Sequence, residues 1–208
     1  MTSNADEGAR KHGHQSELID EFDLLLGRSI RTFQGLEQTI EHRLLQLAAA
    51  SSKPRGEVVE LLRIAIAEAP FRTKRRLLEM QISYLPSRPE YKKCCELQKT
   101  KVALELEMEH ANSEIKRIGD IESDRNKFVH SHWFVLGQPK DSTDIIPVLR
   151  SKTKAHPKNP SHALEEFSVK NFRDFLSDVE NVDKKLSQAT GRLLGLLGYD
   201  EDRKIPKA

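Results

Sequence analysis

The chain has 208 residues and a nearly balanced charge, 34 Lys and Arg against 32 Asp and Glu for a net of +2. Charged residues make up 32%, aromatics 6% and the mean hydropathy is −0.60, the profile of a charge-rich helical protein long enough to bury a core without disulfides. Apolar runs such as Leu44 to Ala50 fall far short of a bilayer span, and the two cysteines, Cys94 and Cys95, are adjacent, which suits neither a disulfide framework nor a zinc site.

Residues 1–16 are polar and read as a disordered leader without a secretory segment, so a cytoplasmic protein with no membrane partner is expected. The leader's His12-Gly13-His14 lacks further ligands and reads as tail rather than metal site. From Glu17 to Ala50 the residues Leu18, Phe22, Leu25, Phe33, Leu36, Ile40, Leu44 and Leu47 recur at helical spacing and predict a first long helix. Turn formers from Ser51 to Gly56 end it. A second helical region runs from Glu57 to about Tyr84, with Pro70 placed to break it and Pro86-Ser87-Arg88-Pro89 to close it. The third and longest helix is expected from about Tyr91 to His130.

Beyond it, Trp133–Leu136 and Ile145–Leu149 are rich in β-branched and aromatic residues and flank a turn, which predicts a β-hairpin. Pro147 would confine its strand to an edge. The last helix begins near Ser168, a capping residue, carries Phe172, Phe175, Val179, Val182, Leu186 and Leu193, and stops at Gly198. The fold class expected is therefore all-α: an antiparallel helical bundle of four to five helices over 17–197, a hairpin insert at about 133–158, and a flexible tail over 198–208.

Chemistry concentrates at the end of the third helix. Leu104, Met108, Ala111, Ile115, Ile118, Glu122, Arg125 and Val129 follow the spacing of one helical face. Glu122 and Arg125 stand on that stripe where apolar residues belong, which costs free energy unless they are paired or the site is a cleft that needs them. Asn126 and His130 are four apart and share a face. Arg125 and His130 diverge by about 140° at roughly 100° per residue. One straight helix would not aim both at one phosphate: the arginine reaches round, the helix end is distorted, or a second copy completes the site.

The segment Arg125-Asn126-Lys127-Phe128-Val129-His130, with the aromatic-rich stretch after it, resembles the R-N-x-x-x-H signature of HEPN domains, helical bundles found in microbial defence and toxin ribonucleases. Leu36-Glu37 and Thr73-Lys74 also look like positions in related bundles, and the resemblance covers most of 17–197. It implies a homodimer whose motif helices pair around a shared cleft, with Arg125, Asn126 and His130 catalytic and RNA as substrate. It also implies a toxin or antiviral role, with an antitoxin or defence-system protein as a further partner.

The residue types suit metal-independent RNA cleavage. Histidine can take the 2′-hydroxyl proton or protonate the leaving 5′-oxygen, and arginine can grip the phosphate as charge builds on it. Products would carry 2′,3′-cyclic phosphate and 5′-hydroxyl ends, and neither metal nor other cofactor is expected. Glu37 and Glu122 are the candidate orienting carboxylates. RNA contacts are expected from the alternating row Arg150, Lys152, Lys154 and Lys158 and from the cluster Arg72, Lys74, Arg75 and Arg76. The alternative is a non-catalytic bundle that dimerises and binds a partner protein or RNA, with Arg125 in an ion pair to Glu122 or Glu37 and His130 capping its helix.

Overall fold

The computed structural model describes residues 4–51, 56–129, 131–135, 148–152 and 165–199. Six α-helices dominate them: α1 (Asn4–Ser51), α2 (Gly56–Glu68), α3 (Phe71–Tyr84), α4 (Pro89–Cys94), α5 (Gln98–Val129) and α6 (Val169–Leu196). A helical bundle is thus the architecture, and among the described residues no helix is long and apolar enough to cross a membrane.

Two boundaries differ from the sequence reading. Helix α1 begins at Asn4 rather than near Glu17. Ala5, Glu7, Ala9, Arg10 and Lys11 favour helix by propensity, without any apolar stripe. The expected third helix is two: α4 ends at Cys94 and is capped by Cys95, whose backbone N–H reaches back to the carbonyls of Lys93 and Tyr91, and α5 starts afresh at Gln98. Pro70 does break the second helical region, separating α2 from α3.

The simple two-stranded hairpin is not the element found. Strand β1 (Ser131–Val135) pairs antiparallel with β2 (Val148–Lys152), which pairs with β3 (Glu165–Phe167) in a three-stranded sheet of order β1-β2-β3. The register sets Trp133 opposite Arg150, and Arg150 opposite Glu165. The strand after Pro147 is therefore central, not an edge. Proline does not interrupt its ladder because β2 starts at Val148, one residue later.

Two compact units divide the chain: 1–33 with 123–178, and 34–122 with 179–208. A single bundle over 17–197 was expected.

The first unit is held by aromatic packing. Phe128 stacks on Phe172 with centroids 4.7 Å apart and meets Phe175 edge-on at 4.8 Å. Phe22 meets the same Phe172 ring edge-on at 5.4 Å. Helix α6 enters this unit through a reciprocal cap: the Asn171 N–H donates to Ser168 Oγ at 3.3 Å and the Ser168 N–H to Asn171 Oδ1 at 2.7 Å.

The second unit has an aliphatic core in which Leu36, Ile40 and Leu47 of α1, Leu78 and Ile82 of α3, Leu104 and Ile118 of α5 and Leu186 of α6 are fully buried. Lys74, near the start of α3, meets Glu37 and Glu41, while Arg88, beyond its end, donates to the Leu47 carbonyl at 3.0 Å. Helix α3 therefore runs in the same direction as α1. Helix α6 ends at Gly198, whose φ of +79° admits the reversal in which the Tyr199 N–H bonds the Leu194 carbonyl at 3.0 Å.

Candidate functional site

The buried stripe of α5 runs through Leu104, Ala111, Ile115 and Ile118 as the spacing requires, then through Ile121 and Phe128 instead of Glu122 and Val129. Phe128 is 4% exposed and takes the core position. Arg125, three residues before it, is half-buried and Asn126 is exposed.

Within the first unit, the Arg125 guanidinium lies 5.3 Å from the ring centroid of Phe33 on α1. Its Nη1 donates to Asn126 Oδ1 at 3.1 Å. Among the described residues no carboxylate pairs with it. Cation–π support of this kind contributes roughly 0.5–1 kcal/mol, enough to restrain the head group. Asn126, expected to hold the imidazole or a phosphate oxygen, instead turns its carbonyl oxygen to the arginine. His130 lies outside the described residues.

The carboxylates expected to orient Arg125 are engaged elsewhere in the second unit. Lys74 Nζ donates to Glu37 Oε1 at 2.8 Å and to Glu41 Oε1 at 2.5 Å. Burial alone would lower the Lys74 pKa, but the hydrogen bonds and charges of the two glutamates outweigh it and raise it above the ordinary lysine value. At 3% exposure, Lys74 is a buried ion-pair centre and not the surface RNA contact anticipated from its neighbours. Glu122 Oε2 lies 3.5 Å from Arg75 Nε, an ion pair whose Nε lacks hydrogen-bond geometry. Arg75 is thus half-buried and carboxylate-paired, whereas Arg72 and Arg76 remain exposed.

Arg150 and Lys152 are alternate residues of the middle strand β2, and Lys154 and Lys158 lie outside the described residues. Two participants went unnoticed in the sequence, Phe33 and Glu41. The signal for both was present, because Phe33, Glu37 and Glu41 are four residues apart along α1 and so share one face.

An open groove of about 740 Å³ in the second unit is lined by Tyr91, Lys101, Glu105, Met108 and Asn112, among others. None of the candidate catalytic, orienting or RNA-binding residues lines it. Burial and a hydrogen bond with Cys95 push the Tyr91 phenol up to about 12. The chain matches no protein-family model, no curated protein and no solved structure.

Proposed function

We propose that the chain is a metal-independent endoribonuclease acting on single-stranded RNA, with Arg125, Asn126 and His130 of two copies lining a shared cleft. One observation carries the reading: Arg125 is held by an aromatic ring and a neutral amide, and no described carboxylate neutralises it. A structural arginine on a helix stripe is ordinarily an ion-pair partner. In this chain Glu37 and Glu122, the carboxylates available for that role, are paired with Lys74 and Arg75.

Arg125 would bind the scissile phosphate through its guanidinium N–H groups, most strongly as negative charge develops on the oxygens. Asn126 would fix the plane of that guanidinium. His130 of one copy would take the 2′-hydroxyl proton as the oxygen attacks phosphorus, and His130 of the other would protonate the departing 5′-oxygen. The P–O5′ bond breaks, leaving a cyclic phosphate and a 5′-hydroxyl. In this reading the protein is a cytoplasmic toxin or antiviral effector restrained by a partner protein.

Single-turnover cleavage of single-stranded RNA tests it. Arg125→Ala should slow cleavage by on the order of 10²- to 10³-fold and His130→Ala by on the order of 10²- to 10⁴-fold, both with little change in melting temperature. Cleavage at the wild-type rate in either variant would refute the assignment. A wild-type protein that cleaves no RNA would leave the non-catalytic bundle.

A further inference from the structure

Helices α2 and α3, consecutive in the second unit, each expose an apolar face to solvent. On α2, Val58, Leu61 and Ile64 are 54%, 68% and 53% exposed, and on α3 Leu77, Met80 and Tyr84 are 36%, 51% and 61% exposed. The α2 set recurs every third residue and the α3 set at three- and four-residue spacing, so each is a stripe and not a scatter of single residues. Apolar stripes of this kind on otherwise folded helices mark association surfaces.

Charge on the two faces is opposite. Helix α2 carries Glu57, Glu60 and Glu68 against Arg63. The exposed Glu57 and Glu68 are eleven residues apart, within about 20° of each other at ~100° per residue, and Leu61 and Ile64 flank them. Helix α3 carries Arg72, Lys74, Arg75 and Arg76 against Glu79. Lys74 and Arg75 are taken up by Glu37, Glu41 and Glu122, which leaves Arg72 and Arg76. Those two arginines continue as a single i, i+4 row into Met80 and Tyr84. An acid-edged apolar row and an arginine-led apolar row are complements, yet within one chain both remain open to solvent.

We infer that these faces pair between two copies of this chain, α2 of one on α3 of the other, about a two-fold axis. The two-fold makes the α2–α3 contact twice, so six apolar side chains per copy leave water and every acidic edge meets an arginine row. The surface lies on helices other than α5 and holds whether or not the chain cleaves RNA.

Light scattering of the full chain at tens of micromolar, without RNA, tests this. The wild type should show at least twice the 23.8 kDa of one chain, and Leu61→Glu with Met80→Glu should halve the wild-type mass. Charge exchange gives a second readout that leaves the apolar residues intact. Glu57→Lys with Glu68→Lys sets lysine against arginine, and Arg72→Glu with Arg76→Glu sets glutamate against glutamate, so each variant alone should also halve the mass. An equimolar mixture of the two should restore it, because both contacts of the mixed dimer are then attractive. A wild-type mass of 23.8 kDa, exchange variants that keep the wild-type mass, or a mixture that stays at half mass would each overturn the inference. Mass and cleavage are read separately, so failure here is distinguishable from failure of the nuclease reading.

Discussion

Lys74→Met keeps the unbranched stem of the side chain and deletes the one charge that Glu37 and Glu41 share. The lysine side chain is 4% exposed and each glutamate side chain 28% exposed. Removing one member of a fully buried ion pair costs roughly 3–5 kcal/mol, because the remaining charge is left without compensation. Here water still reaches both glutamates and screens them, so the loss should fall to about 2–3 kcal/mol. For a chain of this size that corresponds to a melting temperature lower by roughly 5–10 °C.

The pH dependence has a definite sign. The folded pKa of Lys74 is raised above its ordinary value of 10.5, so the stabilisation is fully present below 10.5 and is lost as pH rises through the folded value. The gap between wild type and Lys74→Met should therefore be flat from neutrality to about pH 10 and close only beyond it. Thermal melting monitored by circular dichroism across that range measures both. Adding Glu37→Gln and Glu41→Gln to Lys74→Met should recover part of the loss, since the whole charge set is then neutral. A Lys74→Met protein that melts within a degree or so of wild type at neutral pH would refute the view that this triad is a buried structural centre, and would return Lys74 to the candidate RNA contacts.

Phe128→Ala should lower stability by about 3–4 kcal/mol in urea titration, because it removes a buried ring stacked on Phe172 and edge-on to Phe175; a change below about 1 kcal/mol would contradict its place in the core. Cleavage of single-stranded RNA should survive excess EDTA and yield cyclic-phosphate ends by end-group analysis, and loss on chelation restored by magnesium or manganese would overturn the histidine–arginine mechanism. Neutralising Arg150, Lys152, Lys154 and Lys158 should weaken binding to all RNA sequences, and each lost contact should reduce the slope of log affinity against log salt by about 0.7. Unchanged binding would move the interface elsewhere, with the exposed Arg72 and Arg76 next to test.

Local sequence was enough to locate the apolar-striped part of α1, the break at Pro70, the Ser168 cap and the Gly198 stop, because each depends on contacts within a few residues of chain, but not the Asn4 start of α1 or the separation of α4 from α5. It also located the Arg125-Asn126 segment at a helix end. Partner choice was not legible there. Glu37, Glu122, Lys74 and Arg75 were all visible as charged residues, yet which carboxylate meets which cation depends on how α1, α3 and α5 pack, and those partners stand dozens of residues apart in the chain. The same holds for Phe128 replacing Val129 on the stripe, since an ideal helix drifts against a seven-residue repeat and only the facing rings of α6 select the buried position. Local sequence set where α5 ends and which residue types stand there; tertiary packing decided that its arginine rests on an aromatic ring and that Glu37 and Glu122 pair with other cations.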